Sequence, residues 1–205
     1  ELENGEKVYA KTIISNADPS TTYLDLIGEN NLSPKLLKQL AKTKYSCTSL
    51  MLFLTVDMDV QKSGLDSGNI WMMTDEDTDD LFEEMMKIDI ALGDEFPGMF
   101  ISCTTLKDPT SFDGRHHVLE VVTFINRESF GQFKGDENQR SPEYAQFKER
   151  LTKKIINSLE KVLPGISGKI VQQELGTPMT NEFYINSTEG SVYGTEKSFK
   201  QTGPF

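Results

Sequence analysis

Two apolar runs, residues 99–106 and 117–126, constrain this chain more than any other feature, because a turn-rich loop holds them apart. The first carries Phe100, Ile101, Cys103 and a pair of threonines. The second carries Val118, Leu119, Val121, Val122, Phe124 and Ile125. Asp108-Pro109 and Asp113-Gly114 lie between them and predict turns, so the two runs read as an antiparallel pair of strands. Side chains alternate between the faces of a strand, and the second run is apolar at both parities, so both of its faces need cover. Such a pair belongs at the centre of a sheet, with helices or a ligand against it.

The rest of the chain supplies elements to build around that pair. Residues 7–15 alternate and then run apolar, which predicts a strand ended by Asp18-Pro19. A short helix follows to Gly28. Ser33 before Pro34 predicts a capped helix to about Lys42. Residues 45–59 predict a long strand, with Leu50, Leu52, Leu54 and Val56 on one face and Met51 and Phe53 on the other. Residues 69–73, which hold the single Trp, predict another. Asp75, Asp77, Asp79 and Asp80 lack the glycine and terminal glutamate of a calcium loop. They suit the positive end of a helix over residues 78–88 instead. Ser141-Pro142 opens the clearest helix, with Tyr144, Phe147, Leu151, Ile155, Leu159 and Val162 on one stripe and Pro164-Gly165 as its stop. Residues 127–140 read as loop, residues 169–175 as a strand, and a short helical turn starts near Thr180. Residues 187–205 read as loop with no closing helix. Strands and helices do not alternate strictly, so the expected fold class is α+β, with a mixed, mainly antiparallel sheet flanked by helices.

Composition excludes several functions. The net charge is −11 with no Lys/Arg cluster, which argues against nucleic acid as a partner. No apolar run approaches a membrane-spanning length. Cys47 and Cys103 sit in apolar runs and read as free thiols, which suits the cytoplasm. His116 and His117 are adjacent in a strand and face opposite ways, so they do not share a metal, and no metal site is expected. No phosphate-binding, nucleophile-elbow or zinc-protease motif occurs. The eight methionines read as flexible core filler or as a pliable wall for an apolar ligand.

Five blocks in register carry a resemblance. Residues 13–19 (IISNADP), residues 97–109 (PGMFISCTTLKDP), the run HHVLEVVTF, the helix SPEYAQFKERL and residues 174–196 (ELGTPMTNEFYINSTEGSVYGTE) are similar to the carotenoid isomerase, retinol saturase and phytoene desaturase branch of the FAD-dependent amine-oxidase-like superfamily. The likeness runs from about Val8 to Glu196. It implies a flavin-dependent parent acting on a polyene, by carotenoid isomerisation or by saturation or desaturation of a carotenoid or retinoid. Neither flavin-binding segment of that family is found here, so the chain resembles the substrate-binding lobe. It is expected to be one lobe of a longer enzyme, inactive alone and without bound FAD. Residues 8–19 and 187–205 are expected to return to the flavin domain, and the parent to be peripheral at a membrane. A non-enzymatic apolar-ligand carrier built from the same lobe is the alternative.

The resemblance also implies site residues. Asn16 and Asp18 match the return to the flavin domain. Thr177, Pro178, Thr180, Gly190, Tyr193 and Gly194 match the mouth between flavin and substrate, although Glu189 stands where most relatives have glycine. No acid–base pair stands out. Strand parity adds an expectation of its own: Met51, Phe53, Met99 and Ile101 line an apolar groove on the sheet face opposite the long helix, leading towards Thr177 or Tyr193.

Overall fold

The computed structural model describes residues 1–2, 4–133 and 141–202, and it divides into two compact units, Glu1–Thr43 and Lys44–Phe205. In the first unit a helical segment spans Thr21–Gly28, and α1 spans Pro34–Leu40. The Ser33 side chain accepts from Leu36 N at 3.2 Å, which satisfies one of the free donors at the start of α1. The expected strand over residues 8–15 does not form. The run has strand composition, but among the described residues no ladder partners it, and Val8, Tyr9, Ile13 and Ile14 are exposed.

The second unit is built on five strands: β1 (Thr48–Val56), β2 (Asn69–Met73), β3 (Gly98–Cys103), β4 (His117–Ile125) and β5 (Ile170–Gly176). Their order is β2-β3-β4-β1-β5, and every pairing is antiparallel. The fold class is α+β as expected, and β4 occupies the middle of the sheet. The helices of this unit are α2 (Thr78–Met85), the single turn α3 (Thr104–Lys107), α4 (Pro142–Leu159), α5 (Pro178–Ile185) and the short α6 (Phe199–Thr202).

One face of the sheet is the core. Leu50, Leu52, Leu54 and Val56 of β1 are sealed from solvent together with Leu119 and Val121 of β4 and Ile101 of β3. The stripe of α4, Phe147, Leu151, Ile155 and Leu159, joins the same cluster. Ser141 caps α4, accepting from Tyr144 N at 3.2 Å, and Pro142 takes the first position, where its missing N–H costs nothing. Lys154 of α4 is also buried. Its ammonium donates to the Ile90 carbonyl and stands 4.3 Å from the Phe96 ring centre. Burial pushes its pKa down, opposed by Asp94 and Glu84.

Several boundaries differ from the sequence reading for local reasons. The run after Cys103 does not stay extended. Thr104 Oγ1 donates to the Val118 carbonyl at 3.3 Å, and Thr105 Oγ1 lies 2.8 Å from His117 Nδ1, which curls the chain into α3. Residues of the expected 127–140 loop form 3₁₀ turns over Arg127–Phe133, with Phe130 and Phe133 buried; the remainder lies outside the described residues. A closing helix exists after all: α6, whose Gln201 holds the backbone of Lys44. Both cysteines are free, and Asp77 caps α2 by accepting from Asp79 N and Asp80 N.

Candidate functional site

The register of the strands decides what the face away from the core presents. Met51 of β1 pairs with Val122 of β4, Val122 with Phe100 of β3, and Phe100 with Trp71 of β2. Four large apolar side chains therefore stand in one row across four strands. In the next row Ser49 pairs with Phe124, and Gly98 with Met73. The two rows form the floor of a trough of about 620 Å³, within the usual range for small-molecule sites.

A helix makes the trough's wall. Thr78, Leu81, Phe82 and Met85 of α2 line it. The helix comes this close because β3 offers no side chain at Gly98, where a Cβ would meet Leu81 Cδ2 at 2.8 Å and Met85 Sδ at 3.3 Å. Phe82 stands edge-on to Phe124, with ring centres 6.1 Å apart. On its other side Phe124 meets Tyr193, 6.5 Å away. Tyr193 is held by its backbone: its N–H donates to Ser46 Oγ at 3.0 Å, and Val192 N donates to the Cys47 carbonyl at 3.1 Å. At the opposite end Trp71 stands edge-on to Phe100 at 4.9 Å and is 65% exposed on the edge strand.

None of the lining residues carries a charge. Their polar side-chain atoms are the hydroxyls of Ser49, Thr78, Thr123 and Tyr193 and the indole N–H of Trp71, and Thr123 already donates to the Gly98 carbonyl at 2.7 Å. Such a wall holds an apolar molecule by area. It offers no carboxylate or imidazole for proton transfer. Three methionines, Met51, Met73 and Met85, turn into it, so its shape adapts with little rotamer cost, whereas Met72 and Met99 border it but pack on the core face.

The structure brings some of the expected site residues to this trough and leaves others elsewhere. Met51 and Tyr193 line it, whereas Met99 borders it with its side chain packed in the core. Phe53, on the same face, lies one row further along β1. Ile101 instead faces the core, because its parity on β3 is that of Val121, its β4 partner. Thr177 is buried, and its hydroxyl pairs with Tyr144 Oη at 2.8 Å, so the trough leads to Tyr193 and not to Thr177. Thr177 and Thr180 form a reciprocal cap at the start of α5, and Pro178 occupies its first position. Gly190 lies against Pro178, where a Cβ would stand 2.4 Å from the carbonyl oxygen. Gly194 accepts from Ser46 N. These residues shape the turn that delivers Tyr193. Asn16 and Asp18 belong to the first unit, where Asp18 Oδ1 accepts from Ser20 N at 2.8 Å.

Sequence reasoning missed Trp71, Phe82, Phe100, Val122 and Phe124. The parity of Val122 and Phe124, opposite to that of Leu119 and Val121, was the available signal. Elsewhere in the unit, a smaller-walled surface cleft of about 540 Å³ between Ile88, Leu92, Glu128 and Arg150 carries charges of both signs. Among the described residues no helix is long and apolar enough to cross a membrane.

No family model matches the chain. Its resemblance to individual enzymes covers nearly all of it. It is 28% identical over 203 residues to the all-trans-retinol 13,14-reductase of Danio rerio and 24% identical to the Homo sapiens enzyme of the same name. To the chloroplastic prolycopene isomerase of Arabidopsis thaliana it is 29% identical over 196 residues. These alignments take in 95%, 96% and 94% of this chain but 33%, 33% and 29% of the relatives. The chain thus spans about a third of the length of the curated relatives it matches. The recognition made from the five sequence blocks stands: the chain is related to retinoid- and carotenoid-converting enzymes.

Proposed function

We propose that this chain is the substrate-binding portion of an enzyme that converts a polyene, by isomerisation or by saturation or desaturation of a carotenoid or retinoid. The uncharged trough between α2 and the sheet carries the reading, because it is sized and lined for an elongated apolar molecule. The names of the relatives, a retinol reductase and a prolycopene isomerase, agree with that chemistry.

The resemblance implies FAD as the reacting group of the whole protein, and the described residues do not fit it. A dinucleotide needs a parallel strand–helix–strand unit whose glycine-rich turn presents a helix N-terminus to the pyrophosphate. Among the described residues every strand pair is antiparallel, and no glycine occurs in that arrangement. No step through a flavin is drawn from these residues. Their share is to hold and orient the substrate and to exclude water from it. The exposed apolar stretch at residues 8–15 supports the reading that this segment is a strand whose sheet lies in a flavin domain. This chain alone is accordingly expected to be inactive.

Trp71, the single tryptophan, lines the trough and makes the reading testable. Titration of the purified chain with all-trans-retinol, solubilised on a cyclodextrin, is expected to quench Trp71 emission saturably. Unsaturable quenching, or none in a protein that retains its far-ultraviolet circular dichroism, would remove the support.

A further inference from the structure

The polar side chains that border the trough differ in what they already bond. Thr78, Trp71 and Tyr193 are exposed, so solvent is free to satisfy their hydroxyls and the indole N–H. Thr123 is buried and spends its hydroxyl on the Gly98 carbonyl. Ser49 is the exception. It is only 7% exposed, yet its hydroxyl hydrogen-bonds no group among the described residues. Strand parity turns that hydroxyl towards the trough: Leu50 and Leu52 beside it on β1 face the core, and its partner across the ladder is Phe124, on the trough floor. Val192, held to the Cys47 carbonyl two residues before Ser49, flanks it. Buried hydroxyls in folded proteins nearly always have a partner, and one without is a destabilising feature that calls for a reason.

We propose that Ser49 determines the chemical class of the occupant: its hydroxyl hydrogen-bonds an uncharged oxygen on the ligand, so the trough prefers a polyene alcohol to a hydrocarbon of the same skeleton. This rests on the polyene-binding reading above. A serine hydroxyl donates one hydrogen bond and accepts others, and an alcohol answers either role. The oxygen is uncharged because no charged residue lines the trough, and a carboxylate buried there would stand unpaired. A hydrocarbon covers Ser49 with apolar surface and leaves its hydroxyl without water or partner, which weakens binding.

The test compares two ligands on the intact chain and on Ser49→Ala, by quenching of Trp71 emission. The ligands are all-trans-retinol and the hydrocarbon in which hydrogen replaces its hydroxyl, both delivered on cyclodextrin. Each ligand is compared with itself across the two chains, so the carrier cancels. Ser49→Ala should weaken retinol about five- to tenfold, the loss of one neutral hydrogen bond, and leave the hydrocarbon within about twofold or bind it more tightly. Ser49→Cys, close in size but a poor hydrogen-bonding partner, should show the same pattern at smaller amplitude and serves if the alanine variant does not fold. Retinoate, fully ionised and at equal free concentration, should bind the unaltered chain more weakly than retinol. An equal loss for both ligands makes Ser49 a shaping residue and overturns the inference while leaving polyene binding intact, as does no change for either. Retinoate binding as tightly as retinol overturns the assignment of an uncharged oxygen. Absence of binding by either ligand to the folded, unaltered chain sinks the inference together with the reading beneath it.

Discussion

Glycines and one lysine show how single residues set local geometry here. Gly190 has a φ of +65°, and a Cβ on it would stand 2.4 Å from the Pro178 carbonyl oxygen. Gly168 has ordinary backbone angles and open space where a Cβ would be. Gly190→Ala is therefore expected to lower stability by about 2–3 kcal/mol, and Gly168→Ala to leave it unchanged or raise it by about 0.5 kcal/mol, as read from urea midpoints. Lys154 predicts a pH dependence. Burial lowers its pKa in the folded state, so between that value and the ordinary lysine value the unfolded chain binds more protons than the folded one. Its contribution to stability thus rises with pH across that window and is flat below it. In Lys154→Met the alkaline limb of the stability–pH curve should lose this rise; an unchanged limb would refute the assignment. Residue-level legibility was uneven for a physical reason. Met51 could be read from strand parity alone, whereas Trp71 and Phe82 reach the trough through strand order and the approach of α2, which local sequence does not encode.

At the scale of elements, α4 was legible because three signals agreed: a serine cap, a proline at the first position and a long apolar stripe. Strand β2 was legible from its composition and flanking turns. The failures came where an element depends on a partner or on side-chain bonds. Residues 8–15 have the alternation of a strand and no ladder partner among the described residues, and the threonines after Cys103 spend their hydroxyls on β4 instead of extending β3. The α4–α5 junction offers a test. Tyr144 Oη and Thr177 Oγ1, 2.8 Å apart and buried, tie the long helix to the cap of α5. Tyr144→Phe is expected to cost about 1 kcal/mol in a urea titration and to leave polyene affinity unchanged, because neither residue lines the trough. A several-fold loss of affinity would instead connect Thr177 to the binding site.

For the whole molecule, the central claim is that an apolar ligand lies between α2 and the outer face of the sheet. The eight methionines report on it directly. Met51, Met73 and Met85 line the trough, while Met58, Met72, Met99 and Met179 pack in or against the core. Methionine methyl groups labelled with carbon-13 give one resonance each, which single substitutions assign. The decisive measurement is a methyl correlation spectrum recorded while all-trans-retinol is added. The account predicts saturable shifts at the three lining methionines and none at Met58 and Met179. Shifts confined to Met58 or Met179, or a spectrum unchanged at saturating ligand, would contradict it.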